Sequence, residues 1–290
     1  MSINCETSTS EYAIIVEDLK KFYGNARGLI GGFSCRIKKG ENTVLLGNNG
    51  AGKTTLMNII TNIKFPDDGA VYINNVNSRI PESRSHLRYL PEDVSLPSKC
   101  NILDIIREYQ ALNGRIELFD VEALSEEFNC HDRLEQKFSS MSKGQKRLMF
   151  LALILSGKPD IVMLDEPMEG LDPMNIHKVR KRIKELCKSG TTVLQSTHRV
   201  HEAEQHGGNY MIIHNGEFVA EGKLSSIEEY CKISYADSTA AGFQPKDIIL
   251  TYEDIVIVRK TSILETSLLK DMQSASSLVT LEDIYLCSVK

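Results

Sequence analysis

The fold is decided by one stretch of sequence, Val44-Leu45-Leu46-Gly47-Asn48-Asn49-Gly50-Ala51-Gly52-Lys53-Thr54-Thr55. Its apolar start is typical of a buried strand, its glycines of a tight turn, and its end of the first turn of a helix. Glycine allows consecutive backbone N–H groups to face one phosphate, and the helix that follows adds the positive end of its dipole. The spacing Gly47-x4-Gly52-Lys53-Thr54 therefore predicts a P-loop that binds a nucleoside triphosphate.

The residues that follow support this prediction. Apolar side chains recur at helical spacing, and the pattern predicts a helix over about residues 52–62. A chance glycine-rich loop would lack both the apolar strand before it and the helix after it. The residues expected to surround the phosphates are Gly47, Asn48, Asn49, Gly50, Ala51, Gly52, Lys53, Thr54 and Thr55.

The composition is that of a globular protein in a reducing compartment. Of the 290 residues, 41% are hydrophobic and 25% charged, and the net charge of −5 gives no electrostatic reason to expect nucleic acid as a partner. The cysteines are scattered and never spaced as Cys-x-x-Cys, which favours small apolar residues over disulfides or a zinc site. The first eleven residues lack a signal-peptide pattern, and the longest apolar run, 148–155, is too short to span a bilayer. We therefore expect a cytosolic protein that reaches a membrane only through a partner.

An apolar run at residues 161–164 ends in the acids Asp165 and Glu166. It is typical of a central parallel strand, which delivers carboxylates at the sheet edge where such folds bind ligands. With a P-loop upstream, we expect Asp165 to join the Thr54 hydroxyl in holding Mg²⁺, and Lys53 to bridge the β- and γ-phosphates. Glu166 is then placed to orient or deprotonate an attacking water. The alternative is a pair of solvated acids.

Three further residues have both a functional and a structural interpretation, and a fourth, Asp172, has a structural one. Ser142 can cap a helix whose first free N–H groups form an anion site, or can be an ordinary cap. Asp172 is the predicted cap of a helix that has Pro173 at its first position. His198, after a buried strand, can hydrogen-bond a γ-phosphate or serve the structure. Tyr23 can stack on the adenine ring or pack against its neighbours.

The other segments predict the domain arrangement. Short strands, one of them at residues 12–16, precede the P-loop and indicate an antiparallel flap. Residues 92–157 are predicted to form a helical insert, in which Asn101 begins a capping box. The segment 233–290 contains two short strands and a helix at residues 280–286, and it carries no chemical motif.

Taken in their order along the chain, these motifs resemble those of the ATP-binding subunit of an ABC transporter, over about residues 11–232. The P-loop alone is shared by many ATPases and kinases, but the signature, the Asp-Glu pair and the histidine in sequence are highly specific. The matching elements are Tyr23 for the adenine-stacking aromatic, 47–54 for the Walker A loop, Glu92 for the Q-loop position, Ser142-Lys143-Gly144-Gln145 for the signature loop, 161–166 for the Walker B strand, Gly170-Leu171-Asp172 for the D-loop and His198 for the switch histidine.

The resemblance implies an α/β fold of the P-loop NTPase (ABC ATPase) type. It has a mixed central sheet, an antiparallel β flap and a helical subdomain, with a small C-terminal α+β extension. The implied divisions are a flexible N-terminus at 1–10, an ATPase domain at 11–232 with its helical subdomain at about 92–157, and an extension at 233–290.

The resemblance also implies a mechanism that uses ATP and Mg²⁺. Two such domains, identical or different, pair head to tail, and each ATP lies between one Walker A loop and the other chain's signature loop. Glu166 would be the base, His198 would steady the γ-phosphate, and Thr54, Glu92 and Asp165 would hold Mg²⁺. ATP-driven dimerisation would power transport through membrane-spanning partner subunits, which implies a location in the cytoplasm on the inner face of the membrane.

Two positions depart from the family's pattern. Glu92 replaces a glutamine and adds charge beside the triphosphate, and Lys143 replaces the first glycine of the signature, where it could face a phosphate or solvent. With the segment 281–285, these variants resemble the branch that has one ATPase per chain and separate membrane subunits, often exporters. The alternatives are a soluble ABC-type ATPase acting on ribosomes or in assembly, a P-loop kinase, and a nucleotide-sensing subunit without turnover.

Overall fold

The computed structural model describes residues 11–24, 26–94, 99–113, 117–234, 248–252, 255–259 and 277–289. The predicted flexible N-terminus at 1–10 lies outside these ranges, as does part of the predicted extension at 233–290.

The described elements are fourteen strands and seven helices, joined by loops and short 3₁₀ turns. The strands are β1 (Tyr12–Tyr23), β2 (Ala26–Lys38), β3 (Asn42–Leu46), β4 (Asp68–Ile73), β5 (Val76–Asn77), β6 (Leu87–Leu90), β7 (Ile161–Leu164), β8 (Thr192–Thr197), β9 (Asn209–His214), β10 (Glu217–Lys223), β11 (Tyr230–Ser234), β12 (Ile248–Tyr252), β13 (Ile255–Arg259) and β14 (Ser277–Leu278). The helices are α1 (Lys53–Ile60), α2 (Ile102–Asn113), α3 (Leu118–Glu127), α4 (Lys143–Leu155), α5 (Pro173–Lys188), α6 (Val200–His206) and α7 (Leu281–Ser288).

The central sheet has the strand order β10-β9-β3-β8-β7-β6. All of its neighbouring pairs are parallel except β10 with β9, so the predicted mixed sheet is confirmed. Every residue of β3, β7 and β8 is buried, because helices and the flap cover both faces of these strands. Their carboxyl ends meet at one edge of the sheet, where the predicted site residues follow them.

The predicted antiparallel flap is confirmed as a second sheet of order β2-β1-β4-β5. Its first strand is longer than the predicted residues 12–16, since β1 continues to Tyr23. The pairing of β1 with β2 shifts register between Val16 and Leu19, and Asp18 there has a φ of +46°. This irregularity bends the strand without ending it, whereas the predicted strand stops at residue 16, where the apolar run ends.

The segment between β6 and β7 is helical, as predicted, with α2, α3 and α4. Asn101 and Asp104 form the predicted capping box: the Asp104 N–H donates to Asn101 Oδ1 at 2.9 Å, and the Asn101 N–H donates to Asp104 Oδ2 at 3.1 Å. Apolar residues of these helices form one core with β6, β7 and α5. The limits of the subdomain at 92–157 stay a prediction.

The C-terminal elements form a third sheet, of order β12-β13-β11-β14, and the helix α7. The predicted domain boundary after residue 232 falls inside β11. Thr280 caps α7, which ends at Ser288 rather than at the predicted residue 286. Across the described residues, no helix is long and apolar enough to cross a membrane.

The described cysteines form no disulfide with one another, as the scattered spacing predicts. Cys35, Cys130 and Cys287 are buried, and Cys100 and Cys187 are partly buried. Burial raises the pKa of Cys187 to about 11, so this thiol stays protonated at neutral pH. The predictions for Cys5 and for the Cys231 side chain lie outside the described residues.

Candidate active site

The phosphate loop, residues 47–54, joins the buried strand β3 to the helix α1. Gly50 and Gly52 have φ values of +81° and +111°, a left-handed backbone that favours glycine. Gly47 has no room for a side chain, because a Cβ there would lie 2.4 Å from the carbonyl oxygen of Ile213. The predicted order of strand, turn and helix is confirmed.

Lys53 folds back over this loop. Its Nζ donates to the carbonyl oxygen of Gly47 at 2.6 Å and to that of Asn48 at 3.2 Å, and the residue is only 6% exposed. The same ammonium lies 3.6 Å from Glu166 Oε1. The buried Lys53 ammonium therefore lies at the turn of the phosphate loop, next to Glu166.

Asp165 follows β7 and is fully buried. Its Oδ2 accepts a hydrogen bond from the Thr54 hydroxyl at 2.6 Å, and its Oδ1 accepts one from the Ser196 hydroxyl. A hydroxyl beside a carboxylate oxygen is a ligand pair suited to a hard cation such as Mg²⁺. Ser196 was not among the predicted site residues; its only signal was its place near the end of β8, the strand that pairs with β7.

Glu166 has an uncommon backbone conformation. Its φ is +47°, which for a residue other than glycine costs on the order of 1–3 kcal/mol and is most frequent at functional sites. Its N–H donates to Ser196 Oγ at 2.9 Å, which helps to hold this conformation. Its Oε1 is buried 3.0 Å from His198 Nδ1, yet forms no hydrogen bond of good geometry. Glu166, Lys53 and His198 are thus brought together, with one carboxylate oxygen left without a hydrogen-bond partner.

A cavity of about 290 Å³ lies between the phosphate loop and the acids. It is lined by Asn49, Gly50, Gly52, Lys53, Thr54, Thr55, Glu92, Asp165 and Glu166. Of the nine predicted phosphate-binding residues, Gly47, Asn48 and Ala51 do not line it. Glu92, just after β6, lines the cavity. The pKa of its carboxyl is raised mainly by burial and secondly by the negative charge of Asp165. A third carboxyl therefore faces the space in which the phosphates are expected.

Tyr23 lies at the end of β1, beside the start of α1. Its hydroxyl is 3.4 Å from Thr55 Oγ1, and Lys64 donates to it at 3.2 Å. The Lys64 ammonium lies 5.0 Å from the centroid of the ring. The structure thus places the predicted aromatic next to the phosphate loop, with a partly exposed ring.

The signature residues 142–145 form the first turn of α4. Ser142 is the N-cap: its Oγ accepts from the Gln145 N–H at 3.3 Å, and Gln145 Oε1 accepts from the Ser142 N–H at 2.9 Å. Gly144 lies against the D-loop backbone, because a Cβ there would be 2.3 Å from the carbonyl oxygen of Gly170. Ser142 and its neighbour Lys143 are exposed, and none of the four signature residues lines the cavity described above.

Lys143, in this turn, and Asp172, in the D-loop, both have contacts within this chain. The Lys143 ammonium is 2.9 Å from Glu169 Oε1, so within this chain it forms an ion pair. That hydrogen bond also lowers the pKa of Glu169. Asp172 caps α5 with Pro173 at the first helical position, as predicted, and its Oδ1 accepts from the Asn175 N–H at 3.0 Å.

Arg147 is a site residue that the sequence patterns did not indicate. It lies on α4, one turn after Ser142, and only 6% of it is exposed. Its guanidinium donates to four backbone carbonyls at the ends of two strands. They are those of Pro91 at 2.7 Å, Glu92 at 3.0 Å, Asp165, and Glu166 at 2.6 Å. One side chain therefore links the signature helix to the backbone of all three acids.

The phosphate loop, the paired Thr54 and Asp165, and the parallel strands that deliver them define a P-loop nucleoside triphosphatase. Comparison with known proteins identifies the family within this class. A family described as ABC transporter matches residues 30–169.

Curated relatives and solved structures agree. The chain is 31% identical over 222 residues to the bacitracin transport ATP-binding protein BcrA of Enterococcus faecalis, covering 76% of this chain and 72% of the relative. It is 32% identical over 218 residues to the Nod factor export ATP-binding protein I of Burkholderia orbicola, covering 73% and 71%. A solved structure described as the ATP binding subunit of an ABC transporter superimposes with a TM-score of 0.67 at 30% identity, over 74% of this chain and 92% of that one.

A nucleotide-free ATP-binding cassette from an ABC transporter shows the same fold, with a TM-score of 0.62 at 22% identity, over 73% of this chain and 91% of that one. The chain belongs to the ATP-binding subunits of ABC transporters, in the group with one ATPase domain per chain. Its activity is that of an ATPase that drives transport, which confirms the predicted family, fold class and reaction.

Proposed function

We propose that this chain acts as one half of an ATP-closed dimer that drives export by separate membrane-spanning subunits. One contrast carries the proposal. The cavity beside Lys53, Asp165 and Glu166 lies inside one chain, whereas the start of α4 presents Ser142 outward and does not line that cavity. Each half then supplies what the other lacks.

In this proposal the phosphate loop holds the triphosphate and Tyr23 stacks on the adenine. The buried Lys53 ammonium would leave its carbonyl partners for the β- and γ-phosphates, to which a cation binds more strongly. The ring of Tyr23 is held beside α1 by contacts at its hydroxyl, and the residue is only partly buried, so that a base would be able to reach the ring.

The donor set fits Mg²⁺. Thr54 Oγ1 and Asp165 Oδ2, 2.6 Å apart, would hold the ion with phosphate oxygens, and Glu92 would face it from the cavity wall. Among the described residues there is no cluster of three or more His, Cys, Asp or Glu fit to hold a metal without the nucleotide. When bound, the ion would supply charge neutralisation for the leaving phosphates.

Glu166 would act as the general base. Its buried Oε1, without a hydrogen bond, is available to accept the proton of an attacking water. His198, 3.0 Å from that oxygen, would steady the γ-phosphate and keep the carboxylate oriented. Ser196 and Arg147 hold the backbone of Glu166 in its strained conformation, so that the base keeps its position without reorganisation.

The partner chain would complete the site. Its Ser142, Lys143, Gly144 and Gln145 would approach the γ-phosphate, because the free N–H groups at a helix start attract anions. Asp172 in the D-loop would lie beside the same interface. ATP then favours the paired state since it contacts both halves only there, and hydrolysis removes that preference.

Export is the transport direction that we propose, because the names of two relatives are those of a bacitracin transport protein and a Nod factor export protein. The subunit would work in the cytoplasm, bound to the inner face of the membrane through its membrane-spanning partners. The alternative is a soluble ABC-type ATPase without a membrane partner, and isolation of the tagged chain from its native cell would distinguish the two.

The trans arrangement is tested by mixing two variants that are each expected to have lost most of their ATPase activity. Lys53→Ala loses its own phosphate site but keeps an intact signature loop, and Ser142→Asp does the reverse. Mixed in equal amounts, they form one intact site in each mixed dimer, so we expect recovery towards a quarter of the wild-type ATPase rate. No recovery, with a wild-type rate per chain that is independent of protein concentration, would contradict the dimer.

The transport role is tested by isolating the tagged full chain from its native cell in mild detergent. Recovery of a multi-span membrane protein is the expected result. Recovery of ribosomal or other soluble partners only, with none of the chain in the membrane fraction, would overturn the transport proposal and leave the ATPase chemistry untouched.

A further inference from the structure

Glu92 follows strand β6 at the edge of the sheet where the other acids of the site lie. In the parallel pairing of β6 with β7, Leu90 lies opposite Leu164, and the Asp165 N–H donates to the Leu90 carbonyl oxygen at 2.8 Å. Glu92 comes two residues after Leu90, and its own carbonyl oxygen accepts a hydrogen bond from Arg147 at 3.0 Å. The register of the two strands therefore brings Glu92 to the phosphate cavity, beside Asp165.

The carboxylate of Glu92 is exposed and open to a ligand. It forms no hydrogen bond and no ion pair with any residue that the structure describes. The Arg147 guanidinium donates to backbone carbonyls, that of Glu92 included, rather than to this carboxylate. The charge of Glu92 is thus left to act on whatever enters the cavity.

The cavity is negatively charged before a nucleotide enters it. Its charged lining consists of the carboxyls of Glu92, Asp165 and Glu166 and the ammonium of Lys53. A triphosphate without a metal ion would place further negative charge beside these acids, and like charges at short range repel. A triphosphate that carries Mg²⁺ is less negative, and its ion offers the carboxylates a partner of opposite charge.

We propose that Glu92 makes nucleotide binding depend on the metal ion: its carboxylate disfavours free ATP and favours ATP that carries Mg²⁺. A glutamine at this position would be neutral, and its amide oxygen could still face the ion without repelling free ATP. The charge of Glu92, rather than the shape of its side chain, would thus select the form of the nucleotide that the site can hydrolyse. The inference rests on the proposed function of this cavity as the phosphate site.

The test compares the full-length wild type with Glu92→Gln. Calorimetric titration with a non-hydrolysable ATP analogue, once with excess MgCl₂ and once with EDTA, gives two dissociation constants for each protein. It is carried to concentrations at which the wild-type constant without metal can be measured. Because one like charge beside the phosphates is removed, Kd without metal should fall by about 10-fold in Glu92→Gln. Kd with Mg²⁺ should stay within about 3-fold, since the amide oxygen takes the place of a carboxylate oxygen.

Asp93→Asn is the matched control, because Asp93 is the next residue and is also exposed. It lines a neighbouring cavity with Lys143 and Lys146, and it does not line the phosphate cavity. The ratio of the two constants should therefore be that of the wild type. Glu92→Asp, which keeps the charge, should retain most of the wild-type ratio.

Two results would overturn the inference while the phosphate site stands. One is an unchanged ratio in Glu92→Gln with normal binding of the analogue in Mg²⁺, and the other is an equal fall of the ratio in Asp93→Asn. Failure of the wild type to bind the analogue under either condition would instead overturn the proposed phosphate site.

Discussion

The phosphate cavity and the signature turn differ in how their polar groups are satisfied. In the cavity, Lys53, Asp165 and Glu166 are almost fully buried, and their contacts come from the phosphate loop, from Ser196 on β8 and from Arg147 on α4. At the signature turn, Ser142 and Lys143 are exposed, and their contacts are to Gln145 and Glu169.

In the proposed dimer, this difference divides the site between the two chains: the cavity would hold the nucleotide, and the signature turn would contact the nucleotide of the partner chain. A buried site with strained backbone and an oxygen without a hydrogen bond is organised in advance for a ligand. An exposed helix start has free N–H groups that a ligand can reach only from outside the chain. Four variants test this comparison, beginning with the cavity.

Glu166→Gln should have the largest effect. Because Glu166 is the proposed general base, this change should lower ATP turnover by about 100-fold or more, while ATP binding is retained and dimer accumulates. Phosphate release and size-exclusion chromatography with ATP measure the two results. Glu185→Gln, an exposed acid on α5, is the control and should behave as wild type. Normal hydrolysis by Glu166→Gln would exclude it as the base.

Lys53→Ala should weaken the binding of ATP to the single chain. In the proposed site the ammonium would make charge-assisted hydrogen bonds to the phosphates, so its loss should weaken ATP affinity by about 10- to 100-fold. Equilibrium titration of the isolated chain with ATP and Mg²⁺ measures this change. Lys188→Ala, at the exposed end of α5, should leave the affinity unchanged. An unaltered dissociation constant in Lys53→Ala would count against the assigned phosphate loop.

Ser142→Asp separates the helix cap from the contact with the partner's nucleotide. Aspartate caps a helix as well as serine does, so the melting temperature should stay within a few degrees. A carboxylate facing the partner's γ-phosphate should nevertheless lower turnover by about 10-fold or more, with nucleotide affinity of the single chain unchanged. Turnover equal to that of the wild type would contradict this role, because the signature turn would then not contact the nucleotide of a partner chain.

Lys143→Ala should have the smallest effect on stability. Its pair with Glu169 is exposed, and such pairs contribute about 0–1 kcal/mol to the free energy of unfolding. Urea unfolding of the single chain should therefore change little. A loss well above that range would show that the pair braces the signature turn against the D-loop.

The sequence patterns predicted the elements of the site better than the contacts within it. The phosphate loop, the acids after β7 and the caps Asn101, Ser142, Asp172 and Thr280 are local features, whose residues lie within a few positions of each other. Local geometry decides them, so the pattern was sufficient. The bulge at Asp18 was missed because the apolar run ends at Val16 and two acids, Glu17 and Asp18, follow it, which is not the pattern of a continuing strand.

The roles of Ser196 and Arg147 could not be predicted in the same way. Ser196 reaches Asp165 only because β8 pairs with β7 in a particular register, with Leu164 opposite Gln195. Arg147 reaches the carbonyls of Glu92 and Glu166 only because α4 packs beneath the ends of two strands. Neither side chain carries a spacing that distinguishes it from an ordinary core or helix residue.

The sequence by itself determined the class of protein, because phosphates are bound by a continuous run of backbone and the motifs keep their order along the chain. The tertiary structure alone decided which distant side chains hold those motifs in place. Ser196 at Asp165 and Arg147 at the strand ends are joined to their partners by strand order and helix packing. Such contacts depend on the burial of shared apolar cores, which no local pattern specifies.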